Sequence, residues 1–332
     1  MVAGLWEKFF DKFVSSHVGS IPLDYSPENV EKSFRDLVEA GVDVVPAPQL
    51  RDFTSMYLEP LVEAGVLSRV HGAYAVSSDL DEVRRVTPSI PEFKLVAKLA
   101  KEQRIKWLRA PVTGALTLAS RVYVGDPSKG IRSTALVERE LVVECLSQYV
   151  ANIVRSAVEH GFNVVVIDEP MLSNIVGRRV LLYGYSEEEI LEIYSRELKP
   201  ARGLLRGTHV CGRISERLAS LLAESEELEF LNHEFHDTPQ NLDLPWKSVL
   251  EEGDKFLSPG VFSSRRAEVE SVEEVVSHAK RVIRIVGEER VNVFSGDCGL
   301  GGLRKIEEGY AISLGKLRNL VKALELINRE IE

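Results

Sequence analysis

The chain has 332 residues, 44% of them hydrophobic, a formal charge of −10 and a pI near 5.4. That apolar content suffices for one large core or two ordinary ones, and the acidic balance argues against a nucleic-acid groove, which needs a basic face. No apolar run approaches the ~20 residues that cross a bilayer; three cysteines make no disulfide framework, so a reducing cytoplasm is the expected setting.

Residues 1–10 lack a basic lead followed by a cleavable apolar stretch and read as an amphipathic lead-in helix. The first strand is expected over 13–19. A helix over 27–40 follows, with Ser26 as cap, Pro27 in its first turn and Gly41 as stop. A second strand at 42–45 leads to a helical region at 53–64 and a less regular excursion at 65–88. A helix at 91–102 precedes strand three at 105–112.

A long helical stretch is expected over 133–160, ended by Gly161. Val164-Val165-Val166-Ile167 then reads as a strand buried on both faces. A helix at 186–197, strand five at 204–210 and a helix at 214–223 continue the alternation. Strand six falls at 228–231 or slightly beyond, and strands seven and eight at 256–261 and 291–295, with helices at 271–286 and 303–331. Eight strand signals, each followed by a helix or a helix-sized segment, predict parallel strands joined by right-handed crossovers. The expected fold is a single-domain (β/α)8 TIM barrel over residues 1–332. The irregular stretches 65–88 and 123–132 are loop elaborations over one face.

In such a barrel, chemistry sits at the C-terminal ends of the strands. His209 and Cys211 form a His-x-Cys pair that ends strand five, and Cys298 follows strand eight in Gly296-Asp297-Cys298-Gly299-Leu300-Gly301-Gly302. Strand six runs into Asn232-His233-Glu234-Phe235-His236-Asp237, which offers further ligands at the same rim. Zinc takes thiolate and imidazole, with a carboxylate acceptable beside them. The glycine-rich stretch after strand eight also admits a phosphate-binding reading; its cysteine and the acidic chain favour metal. Cys145, inside a helix, is expected to be an inert core residue. Arg265-Arg266 is a short basic cluster of the solvated kind.

Taken in order, these pieces resemble the catalytic barrel of the cobalamin-independent methionine synthase family. The matching segments are Gly19-Ser20-Ile21-Pro22, Pro111-Val112-Thr113-Gly114, Ile167-Asp168-Glu169-Pro170, His209-Val210-Cys211, Glu234, Pro259-Gly260-Val261 and Asp297-Cys298-Gly299-Leu300. The resemblance spans nearly the whole chain. It implies a Zn²⁺ held by His209, Cys211, Glu234 and Cys298. It further implies Ser20 against the backbone of an amino-acid thiol, homocysteine, and Asp168 against its ammonium. Asp168 and Glu234 are the residues it implies in catalysis.

Three positions depart from the family pattern. Gln49 stands where the family places an acid beside the substrate amine, Arg265 where it places a histidine, and Leu116-Thr117-Leu118-Ala119-Ser120 lacks the aromatic of the folate-using enzymes. Gln49 and Arg265 therefore remain substrate-facing positions with altered chemistry. The chain resembles the short, single-barrel forms, which implies a methylated corrinoid, free or on a protein, as donor rather than methylfolate. Rival readings are a zinc alkyltransferase acting on another thiol such as coenzyme M, a non-catalytic barrel with structural zinc, and a metal-free decarboxylase-like barrel, which would leave the His209, Cys211 and Cys298 convergence unexplained.

Overall fold

The computed structural model describes residues 10–331, apart from His71, Asp79 and the side chain of Leu80. The expected lead-in helix lies outside the described residues except for Phe10. Eight parallel strands form the centre: β1 Val14–Ser15, β2 Val44–Pro46, β3 Trp107–Thr113, β4 Val164–Asp168, β5 Leu205–Val210, β6 Phe230–Glu234, β7 Phe256–Gly260 and β8 Val293–Phe294. Strands β2 to β7 make one continuous ladder in chain order, and β8 pairs with β1. Single bridges close the ring, Ser16 to Val44 on one side and Leu257 to Val291 with Gly260 to Ser295 on the other. The fold is the expected (β/α)8 barrel.

Alternation along each strand divides the apolar residues between two cores. One face of the strands fills the lumen with Val14, Val44, Val164, Val166, Leu205, Phe230, Phe256 and Val293, closed below by Phe10. The other face packs against the surrounding helices in a much larger cluster. Gly207 on β5 is a steric requirement of the lumen: a Cβ there would stand 2.5 Å from the Phe230 ring.

The helix Pro27–Glu39 begins as expected, with the Ser26 hydroxyl accepting from the Asn29 N–H. The expected 133–160 helix is broken. A 3-10 turn at Ala135–Val137 and a π-helical segment at Leu141–Leu146 precede the regular helix Ser147–Glu159. Thr134 is extended and Glu138 non-helical, so the chain cannot wind continuously through them. The 65–88 excursion holds an antiparallel hairpin, Leu67–Val70 with Ala73–Val76, whose second strand takes on Val122–Tyr123. The two irregular stretches thus form one small side sheet. The final helix is shorter than expected, Gly309–Ile331, because Glu308 takes a left-handed conformation before it. Among the described residues no helix is long and apolar enough to cross a membrane.

Candidate metal centre

Two strand ends converge as the barrel requires, β5 bringing His209 and Cys211 and the loop after β8 bringing Cys298. The ligand atoms of His209, Cys211 and Cys298 all lie within 4.8 Å of one another. His209 Nε2 is 2.9 Å from Cys211 Sγ, and the two sulfurs are 2.7 Å apart, with both cysteines free. They stand in a cavity of about 410 Å³ also lined by Ser20, Gln49 and Asp168.

The orientation of His209 follows from a hydrogen-bond chain. Asn232, two residues before Glu234 on β6, donates through Nδ2 to the Ser258 carbonyl at 2.6 Å and to Ser295 Oγ at 3.1 Å. A carbonyl can only accept, so the amide is fixed with Oδ1 toward His209 Nδ1, 2.9 Å away. Nδ1 therefore carries the proton, and Nε2 offers its lone pair toward the sulfurs. Support of this kind aligns metal-ligating histidines. Asn232 went unrecognised in the sequence; its inward position two residues before Glu234 was the available signal.

Charges at the site are strongly mutual. Hydrogen bonding from Cys211 and His209 holds the Cys298 thiol well below its usual range despite burial. Cys298 in turn, with burial, pushes Cys211 up. Burial depresses His209, but Cys298 beside it outweighs that and leaves the imidazole above its ordinary value. These neighbours favour the thiolate of Cys298, the form that binds a soft cation.

On β6, alternation sorts the acidic and imidazole groups. Asn232 and Glu234 face inward; His233 faces outward, stacks on Trp246 and is pushed down to about 3 by burial. Glu234 is fully buried but stands apart from the three-ligand cluster. Its carboxylate accepts from Thr238 Oγ1 at 2.8 Å and from Arg265 Nη2 at 3.1 and 3.2 Å. Arg265 itself is 63% exposed in its side chain. His236, Asp237 and Asp297 form a second tight group. Asp297 caps the loop after β6, accepting from the backbone N–H of Phe235, His236 and Asp237, and so serves the fold.

At the cavity wall, Ser20 Oγ accepts from the Gly301 N–H at 3.1 Å, and a Cβ on Gly299 would fall on that hydroxyl. Gln49 Nε2 donates to the Pro111 carbonyl at 3.4 Å. Asp168 and Glu169, adjacent in sequence, separate completely. Asp168 lines the cavity, its carboxyl pushed up to about 7 by burial. Glu169 turns away to accept from the N–H groups of Leu116 and Thr117 and the Thr117 hydroxyl, capping the short helix Ala115–Ala119. Cys145 is buried away from the site, as expected of a core thiol.

No family model matches the chain. A methionine synthase of Methanothermobacter marburgensis is 28% identical over 327 residues, covering 93% of this chain and 92% of its own length. The chain is a homologue of the methionine synthases. The corresponding protein of Methanothermobacter thermautotrophicus is also 28% identical, over 311 residues, covering 89% of this chain and 87% of its own length. Among solved structures, a B12-independent methionine synthase from Shewanella, in complex with selenomethionine, superposes with a TM-score of 0.70 at 14% identity, covering 96% of this chain and 99% of that one. A methyltransferase from Methanosarcina mazei gives 0.67 at 17% identity, covering 97% and 96%. These structural likenesses bear on the barrel; the likeness in sequence is to methionine synthases and spans nearly the whole chain.

Proposed function

We propose that this protein is a methyltransferase that uses zinc to move a methyl group onto the thiol of homocysteine, yielding methionine, with a methylated corrinoid as donor. The observation that carries the reading is the convergence of His209, Cys211 and Cys298 on the floor of a cavity whose wall holds Ser20 and Asp168. Two sulfurs and an imidazole nitrogen are the donor set zinc favours, and the Asn232-directed Nε2 lone pair fits that ion. Glu234, inward on β6, is the proposed fourth ligand once released from Arg265. When bound, zinc supplies the Lewis acidity that lets a thiol lose its proton at neutral pH.

The chain's own residues do the rest. Asp168 receives the substrate ammonium, and Ser20 with the Gly299–Gly301 backbone faces its carboxylate end, so the sulfur is directed at the metal triad. Arg265 and Gln49 border the same chemistry from the rim and from the end of β2. Gln49 is the specific observation that keeps a second thiol in view, since an amide holds an ammonium less tightly than a carboxylate does.

The test is methyl transfer from methylcobalamin with zinc-loaded protein and a panel of thiols. Homocysteine should be converted to methionine and lead the panel. Transfer to another thiol in preference would replace the substrate, and no transfer to any thiol would sink the reading.

A further inference from the structure

A charged side chain inside the lumen finds no use in the steps above. Arg109 enters the barrel from β3 between the aliphatic layer and the cavity floor, and is 1% exposed. On its lower side it shares a small enclosed space with Val164, Leu205, Phe230 and Val293. Its Nη2 lies 4.0 Å from Asp168 Oδ1. Among the described residues, Arg109 Nε, Arg109 Nη2 and Asp168 Oδ1 have no hydrogen-bond partner. A buried cation without a carboxylate is strongly disfavoured, and so is a buried carboxylate without a cation. Each is the compensating charge of the other.

We propose that Arg109 is a positioning residue that anchors the Asp168 carboxylate by its lumen-side oxygen and so presents the other oxygen to the ammonium of an amino-acid thiol. The inference rests on the homocysteine reading above. The geometry separates two cations on opposite sides of one carboxylate, guanidinium below and ammonium above. Burial brings the Arg109 guanidinium down to about 10, so it stays charged at neutral pH. Two carboxylates line the cavity, Asp52 and Asp168. Asp52 accepts from the Thr54 hydroxyl and the Thr54 and Ser55 N–H groups, so with Gln49 after β2 in place of an acid it is the orientation of Asp168 that matters for the amine. His17, close by, has its Nε2 on the Ser20 carbonyl at 3.0 Å.

The test compares L-homocysteine with 4-mercaptobutanoate, which keeps thiol and carboxylate but lacks the amine, in zinc-loaded wild type, Arg109→Met and Arg109→Lys. Binding is measured by calorimetry and turnover with methylcobalamin. Arg109→Met should weaken homocysteine binding and raise its KM about tenfold or more, the scale of a charge-assisted contact, with kcat little changed. The 4-mercaptobutanoate values should move less than twofold, and Arg109→Lys should recover part of the loss. In an Asp168→Asn background, Arg109→Met should add nothing further. That double variant buries no unpaired charge, so it keeps the test readable if Arg109→Met alone fails to fold.

Equal losses for both thiols, or none for either, would overturn the proposal. So would additive losses in the double variant. Wild type that binds homocysteine without methylating it defeats the reaction reading while the calorimetric contrast still decides the role of Arg109. Wild type that binds neither thiol defeats both.

Discussion

Replacing Arg265 by alanine should tighten zinc binding, although it removes the strongest cationic contact of a proposed ligand. Glu234 is held away from the three-ligand cluster by two contacts, the Thr238 hydroxyl at 2.8 Å and Arg265 at 3.1 and 3.2 Å. The carboxylate is fully buried, but the guanidinium is 63% exposed, so solvent screens the attraction. A pair of that kind is worth about 1 kcal/mol, which corresponds to roughly fivefold in an equilibrium constant. For Glu234 to reach the ion it must give up this pair, and Arg265→Ala removes that cost in advance. Zinc affinity, measured by competition with a chromophoric chelator at fixed pH, should therefore rise by up to about fivefold. Glu234→Gln should lower it by tenfold or more. If Arg265→Ala weakens zinc binding tenfold, the guanidinium supports the centre instead of restraining it, and the assignment of Glu234 as fourth ligand fails.

Asn232→Leu keeps volume but leaves the His209 imidazole free to rotate or change tautomer, so zinc affinity should fall about 10- to 100-fold; an unchanged affinity in the same competition assay would show that His209 is held some other way. Asp168→Asn should raise the KM for homocysteine far more than it lowers kcat; a collapse of kcat at unchanged KM would move Asp168 from binding to chemistry. Burial holds the Glu169 carboxyl above its ordinary range, so the native state keeps a proton there that the unfolded chain loses first. Its contribution is complete below about 4.5 and is lost as pH rises toward about 7. Urea melts across that window should show wild-type stability declining with pH, and Glu169→Gln declining less.

The barrel was legible because its signals are local and repeated. Val164-Val165-Val166-Ile167 and the capped helix after Ser26 state their structure within a few residues. The meeting of His209, Cys211 and Cys298 was legible for a related reason: a strand end fixes where its side chains point, so the three had to meet if the barrel closed. What escaped depends on distant partners. The break in the 133–160 helix and the side sheet of Ala73–Val76 with Val122–Tyr123 follow from packing between two excursions. Asn232 reads as an ordinary strand residue until Ser258 and Ser295 fix its amide. The contrast between Asp168 and Glu169 is a matter of strand alternation. Arg109 gave no signal, because nothing in Leu108-Arg109-Ala110-Pro111 tells that its guanidinium meets a carboxylate on the neighbouring strand.

Metal analysis joined to X-ray absorption on freshly purified protein tests the zinc centre most directly. One zinc per chain is expected, bound by two sulfurs and two lighter atoms, and lost in Cys298→Ser with the fold retained by circular dichroism. Wild type without zinc, or zinc with no sulfur in its shell, would contradict it.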